Sequence, residues 1–254
     1  MINNDTDEIR DFWNRVAGDW QIQVGDTGAR NRILNSDPVL WAFAGDVAGL
    51  KVLDAGCGTG YLSKQLSERG ALVTGVDLSE RMIAIARAQY PQIDFRVDSR
   101  TGLHTIGDAS FDLLISNYVL MDTPDLEGAM HAFSRVLRTG GAAVLVFSHP
   151  CFPQGGATVS GSEETNYRRP HPYFERRKRV DPPWGHFTCD FIWFHRPLSD
   201  YGKAFKAAGF AVADFAEPRL SADRYHLAET LRELTNSKGR PYSVAFKLRK
   251  NGAF

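Results

Sequence analysis

The sequence predicts an α/β fold built on a doubly wound, mostly parallel sheet, and three observations predict it. Short apolar runs rich in β-branched residues alternate with segments whose apolar residues recur at helical spacing. The first run, Leu50-Lys51-Val52-Leu53, leads into Asp54-Ala55-Gly56-Cys57-Gly58-Thr59-Gly60, a turn with glycine at every second position followed by a helical pattern. The alternation then breaks once, after residue 148, for a long aromatic-rich stretch, and resumes at residue 197.

Taken in order, residues 7–48 precede the first strand and read as mostly helical. Phe12-Trp13, Val16-Ala17 and Trp20 share one apolar face, and Trp13 and Trp20 are expected to be packing residues. The glycine turn supplies positive φ or close ligand approach, and the helix behind it carries Tyr61, Leu62 and Leu66 before Gly70 stops it. Free N–H groups at such a helix start suit an oxygen-rich ligand. The second run, Leu72-Val73-Thr74-Gly75-Val76, closes on Asp77, a strand-end carboxylate able to accept ribose hydroxyls. Ser79 is the expected N-cap of a helix carrying Met82, Ile83, Ile85 and Ala86, which Pro91 ends.

The third run, Ile93 to Val97, ends at Asp98-Ser99, and the fourth, Phe111 to Ser116, ends at Asn117-Tyr118. A helix follows with Thr123 as expected N-cap, Pro124 in its first turn and a stripe of Leu126, Ala129, Met130, Phe133, Val136 and Leu137. Gly140-Gly141 are read as its stop, and residues 142–148 as the fifth strand. Near the C-terminus Ser199 is the expected cap of a helix through Tyr201, Ala204, Phe205 and Ala208. Residues 210–215 read as a sixth strand, and Leu227, Leu231 and Leu234 suggest a short helix. Tyr242, Val244, Phe246 and Leu248 mark a half-buried strand.

Composition bounds the function. The chain has 254 residues, with 30 Lys and Arg against 30 Asp and Glu, so no net charge favours nucleic acid or an anionic membrane. Three cysteines, Cys57, Cys151 and Cys189, make no C-x-x-C pair, which argues against structural zinc and a disulfide scaffold. Cys57 reads as a small packed residue in a tight turn. The first residues are polar and acidic, and no apolar run reaches membrane-spanning length, so a cytoplasmic location is expected.

Two ligand readings compete at the glycine turn. A dinucleotide turn needs G-x-G-x-x-G, and counting from Gly56 the last position is Tyr61, so the pattern fails. An acidic residue followed by glycines at 56, 58 and 60 instead resembles the first motif of the class I S-adenosylmethionine-dependent methyltransferases. The resemblance covers residues 50–148 well and 197–250 plausibly, and is weak between them. It implies a seven-stranded, Rossmann-like sheet closed by an antiparallel hairpin, with an N-terminal helical segment (1–49) over the site and a cap inserted after the fifth strand (149–196). It places Asp54 at the methionine end of the donor over Gly56, Gly58 and Gly60. Asp77 and Leu78 fall at the ribose, Asp98 and Ser99 at the adenine, and Asn117 and Tyr118 near the sulfonium and the substrate. A carboxylate suits a ligand bearing an ammonium and a sulfonium, where a pyrophosphate would be repelled.

The implied reaction is methyl transfer from S-adenosylmethionine, leaving S-adenosylhomocysteine, to an O or N atom of a small molecule, with no metal. Proximity is then the main catalytic term and a general base is optional. Candidate bases are His149, at the end of the fifth strand and before Pro150, His195 beside Arg196, and Tyr118. His104, His131 and His226 are expected at the surface. The stretch 149–196, with Tyr167, Tyr173, Phe174, Trp184, Phe187, Phe191, Trp193 and Phe194, is too aromatic for a solvated linker and is expected to wall the substrate pocket, with 188–195 as a strand. The basic run Arg176-Arg177-Lys178-Arg179, with Arg168-Arg169, is expected to be a solvated face. Asn117-Tyr118-Val119-Leu120 departs from the Asn-Pro-Pro-Tyr type motif of nucleic-acid amino-methyltransferases. Alternatives are a tRNA or protein methyltransferase, or a non-catalytic donor-binding subunit. A monomer and a homodimer both stay open.

Overall fold

The computed structural model describes residues 2–25, 28–152, 157–159, 165–167 and 171–252. Residues 153–156, 160–164 and 168–170, Arg168 and Arg169 among them, lie outside the described residues, as does the side chain of Tyr167. The elements run α1 (Ile2–Val24), α2 (Asp37–Ala44), β1 (Lys51–Ala55), α3 (Tyr61–Glu68), β2 (Leu72–Asp77), α4 (Glu80–Gln89), β3 (Asp94–Val97) and β4 (Phe111–Asn117). After these come α5 (Leu126–Val136), β5 (Leu137–Ser148), β6 (Ala157–Val159), β7 (Thr165–Tyr167), β8 (Arg177–Asp181) and β9 (Phe191–His195). The chain ends with α6 (Leu198–Ala207), β10 (Phe210–Ala216), α7 (Leu231–Gly239) and β11 (Ser243–Lys250).

Seven strands form one sheet in the order β3-β2-β1-β4-β5-β11-β10. The neighbours from β3 to β5 are parallel, and β11 is antiparallel to both β5 and β10. This is the expected Rossmann-like sheet with its antiparallel close. Strand order reverses between β1 and β4, so a crevice opens at their carboxyl ends, where Asp54 and Asn117 stand.

Side-chain alternation along the strands divides the core in two. Leu53, Leu114, Ala143, Leu145 and Phe147 face α5 and α6, where Phe147 stacks on Tyr201 with ring centroids 4.2 Å apart. Val52, Leu113, Ile115, Val144 and Val146 face the other way, against Leu40 and Phe43 of α2 and Leu62 and Leu66 of α3. The cap contributes two small hairpins, β6–β7 and β8–β9, the second packed on α1 through Phe12, Phe187 and Phe191. The strand expected at 188–195 is therefore β9, beginning at Phe191.

Some element boundaries differ from expectation. Thr123 is extended (φ −95°, ψ 113°), as a residue before proline tends to be, and closes a short 3-10 turn instead of opening a helix. Asp125 caps α5, accepting the Gly128 N–H at 2.8 Å. Asp125→Ala should therefore cost about 1 kcal/mol, read as a lower urea midpoint at unchanged slope, whereas Thr123→Val should leave the helix start intact. Gly140-Gly141 lie inside β5, where four residues bulge between the pairings Phe111–Leu137 and Leu113–Ala142. Pro197 precedes α6, which starts at Leu198 and not after Ser199.

Candidate functional site

The turn after β1 brings three glycines of positive φ to the carboxyl end of the sheet. Gly56, Gly58 and Gly60 have φ of 87°, 54° and 89°, which an L-residue adopts only with strain. Their surroundings differ. A Cβ on Gly56 would lie 2.4 Å from Cγ2 of Val119, and one on Gly58 would lie 3.0 Å from Nε1 of Trp20. One on Gly60 would strike Phe95 and Tyr90, so Gly60 serves helix packing, away from the cleft.

Above this turn lies a cleft walled by Asp54, Gly56, Gly58, Asp77, Asn117 and Tyr118. Asp77 Oδ2 accepts the Gly58 N–H at 3.0 Å and Oδ1 the Ser79 N–H at 2.9 Å, which ties β2 to the turn. Asp54 accepts the Ser63 hydroxyl at 2.6 Å, and its burial pushes it up to about 6. Burial also raises Asp77, against the pull of Arg100. Asn117 Oδ1 is buried with no hydrogen-bond partner among the described residues. Two acids and an orphaned amide oxygen facing one cleft fit a cationic, hydroxyl-bearing ligand such as S-adenosylmethionine.

A second, largely apolar cavity adjoins the first. Trp184, Phe191 and Trp193 of the cap form one side, with Met121 and Ser148 from the core. Trp193 is held by its Nε1, which donates to Asp181 Oδ2 at 2.6 Å, and by Arg179 over its ring at 4.5 Å. Trp13, Trp20, Arg32, Tyr118 and Asp122 line both cavities. Trp13 and Trp20, expected as packing residues, thus stand on the wall between two compartments. Arg32, in a π-helical turn (Arg32–Ser36), lies 5.4 Å from the Trp20 ring centre and 5.6 Å from that of Tyr118.

The remaining sequence candidates sit as follows. Asp98 Oδ1 accepts the Ser99 N–H, and Oδ2 accepts both the N–H and hydroxyl of Thr105 at 2.6 and 2.7 Å, so Asp98 folds its own loop. Leu78 lies between Asp77 and the capping Ser79, and Ser99 pairs with Thr101. His149 is buried. Its Nδ1 accepts the Cys151 N–H at 3.1 Å, which leaves the proton on Nε2, 2.8 Å from Glu217. Ser148, not His149, lines the aromatic cavity. His195 Nε2 meets the Tyr173 carbonyl at 2.8 Å, and the ring lines a separate surface groove with Asp125 and Arg176. Tyr118 has φ 58°. Its ring walls the cavities while its buried hydroxyl, near Ser36 and Ser243, points into the protein, and burial raises it. His104, His131 and His226 are exposed.

The basic run differs from a plain solvated face. Lys178 pairs with Asp5 at 3.0 Å and with Glu8, Arg176 with Asp200 at 2.6 Å, and Arg179 with Asp181 at 2.9 Å. The Lys178 pairs fasten the hairpin to α1 and the Arg176 pair ties the segment before it to α6, while Arg179–Asp181 lies within β8. Sequence reasoning missed Arg100 and Asp122. Both are buried, and Arg100 donates to the Asp122 carbonyl at 3.3 Å. Neither belongs to a motif, and only the fold brings them to the cleft.

Comparison with known proteins gives a consistent picture. A methyltransferase-domain family model matches residues 53–145. The ubiquinone biosynthesis O-methyltransferase of Azoarcus sp. is 37% identical over 100 residues, 38% of this chain and 43% of that protein. The demethylmenaquinone methyltransferase of Tropheryma whipplei is 36% identical over 155 residues, 57% of this chain and 61% of that one. The chain thus spans about half the length of the curated relatives it matches. A solved S-adenosylmethionine-dependent methyltransferase from Mesorhizobium loti superposes with a TM-score of 0.73 at 25% identity, covering 89% of this chain and all of that one.

Proposed function

We propose that the chain is a class I S-adenosylmethionine-dependent methyltransferase and that it methylates a hydroxyl on a flat, ring-bearing small molecule held in the aromatic cavity. One observation carries this reading: a polar cleft over the glycine turn and an aromatic cavity share a wall of Trp13, Trp20, Arg32, Tyr118 and Asp122. A donor in the first can face an acceptor in the second. The relatives' names support a ring-bearing acceptor, through ubiquinone biosynthesis and a demethylmenaquinone, and the first of them names oxygen as the atom methylated.

In this reading Asp54, Gly56, Gly58, Asp77 and Asn117 hold the donor, while Asp98, Ser99, Leu78 and Gly60 shape the loops around it. When bound, the donor supplies a methyl group already activated on a sulfonium. The protein's part is to orient the acceptor and exclude water, which residues 1–49 and 149–196 do from above the core of 50–148 and 197–254. His149 anchors the end of β5 to Glu217, and His195 braces the cap through Tyr173. The reaction needs no metal in this scheme, because the methyl is already activated on the sulfonium. No described helix is long and apolar enough to cross a membrane, and we place the protein in the cytoplasm.

The test is transfer of labelled methyl from S-adenosylmethionine to a panel of phenols, catechols and quinols, beside calorimetric binding of S-adenosylhomocysteine. Normal product binding with no labelled acceptor would favour a non-catalytic binding subunit. Trp184 is half exposed at the cavity mouth, with its ring centre 4.8 Å from that of Phe187. Trp184→Ala should raise the acceptor KM about tenfold, the scale of one lost aromatic contact, and leave the donor KM unchanged. An equal rise in both would place Trp184 outside the acceptor site.

A further inference from the structure

We propose that Asp122 is the proton acceptor of the reaction, a carboxyl at the junction of donor cleft and aromatic cavity that the cationic donor ionises on arrival. The proposal rests on the methyl-transfer reading above and adds to it the residue that takes the acceptor's proton.

Geometry selects Asp122 from the candidates. It closes the 3-10 turn (Leu120–Asp122) that follows β4, is 2% exposed, and lines both cavities. Its Oδ1 is buried with no hydrogen-bond partner among the described residues. A buried, unpartnered carboxyl oxygen costs free energy, and a protein that keeps one at a cavity wall has a partner there in some state. His149 has both ring nitrogens engaged, His195 lies in another groove, and the Tyr118 hydroxyl faces inward. Asp122 is the group left facing both compartments.

Its charge state follows from its surroundings. Burial pushes Asp122 up to about 8, with Arg100 pulling it down and Asp77 pushing it further up. Tyr201 of α6 also feels its charge. Arg196 donates to the carbonyls of Thr123 and Pro124, both at 2.6 Å, and so braces the segment just after it. Arg32 and Asp181 complete the charged lining of the aromatic cavity. In the empty site at neutral pH Asp122 therefore holds its proton. The transferable methyl has to point from the cleft into the cavity, which brings the positive charge behind it to the shared wall. That charge favours the carboxylate.

The ionised Oδ1 then takes the acceptor's O–H proton while an oxygen lone pair forms the bond to the methyl carbon. The C–S bonding pair stays on sulfur, which leaves as a neutral thioether. With the positive charge gone Asp122 keeps the proton, and the next donor to bind drives it out to solvent.

Donor binding supplies a test that needs no acceptor. S-adenosylmethionine and S-adenosylhomocysteine are titrated calorimetrically at pH 7.2 in two buffers of different ionisation enthalpy, which counts protons released. The product analogue shares every group with the donor except the methyl and its charge. Wild type should release about half a proton more with the donor than with the product. The excess should vanish at pH 9.5, where Asp122 is already ionised, and in Asp122→Asn at pH 7.2. An excess that persists in Asp122→Asn, or none in wild type at pH 7.2, overturns the proposal. If neither compound binds wild type, the methyl-transfer reading itself fails, and this proposal with it. The wild-type pH comparison holds even if the variant does not fold.

Discussion

Gly56→Ala should reduce S-adenosylhomocysteine binding several-hundredfold, the largest binding loss expected from any single methyl group in this chain. Two costs combine. With φ at 87°, any L-residue here carries roughly 1–2 kcal/mol of backbone strain. The new Cβ would also stand 2.4 Å from Val119 Cγ2 and 2.8 Å from its Cγ1. Val119 cannot yield easily, because it is buried at the start of the turn that carries Asp122. Nor can the glycine turn back away, since the Gly56 and Cys57 N–H groups both donate to the Val76 carbonyl, at 2.8 and 2.9 Å. Overpacking of this kind costs about 1–3 kcal/mol more. Together they displace the cradle from both strand ends that form the cleft. Gly45→Ala is the control. Its φ is 70° but nothing lies within 4 Å of its Cβ position, so it should lower stability by about 1–3 kcal/mol through backbone strain alone and leave binding unchanged. If Gly56→Ala binds within threefold of wild type, the turn is not the donor's cradle.

How far the sequence reached is visible in these same residues. The spacing of Asp54, Gly56 and Gly58 located the cleft because a β1–turn–α3 unit is local: the chain within ten residues defines the geometry. The seven strands were legible for the same reason, each being a short apolar run between turn signals. Gly60 was legible as a glycine but not in its role, since Phe95 and Tyr90, which require it, arrive from β3 and α4. Trp13, Trp20, Arg32 and Asp122 escaped because their neighbours are distant in sequence. An amphipathic helix reads alike whether its apolar face meets a core or a cavity. The partners of the basic run lay out of reach for a related reason. Its charges pair with Asp5, Glu8 and Asp200, which only the tertiary fold brings beside it.

Asp54→Asn should weaken S-adenosylmethionine binding about a hundredfold while leaving the empty protein more stable, a split that separates a binding group from a structural one. Burial lifts Asp54 to about 6, opposed by the Ser63 hydroxyl at 2.6 Å and by Arg32, with Asp77 adding repulsion. A carboxyl raised above its unfolded value of about 3.9 costs the fold nothing at low pH and its full penalty above 6. The penalty is about 2–3 kcal/mol at neutral pH, since a tenfold change in proton affinity is worth about 1.4 kcal/mol. The stability gap between Asp54→Asn and wild type should therefore be near zero at pH 4, grow as pH rises from 4 to 6, and level off above 6. A ligand cation reverses the balance by favouring the carboxylate. Wild-type affinity for S-adenosylhomocysteine, which lacks the charge that ionises Asp122, should fall as pH drops through 6, to about a tenth of its pH 7.5 value at pH 5, while that of Asp54→Asn should be flat near 6. Melting curves and binding titrations over pH 4–8 read both trends. A variant that loses stability and affinity together, at every pH, would make Asp54 a structural residue and send the cation elsewhere. The Ser63 bond guards against a simpler failure, because an asparagine oxygen at the same place can accept it. The burial that makes Asp54 costly in the empty protein is thus what gives its charge force against a cation, since the same low-dielectric surroundings strengthen both terms.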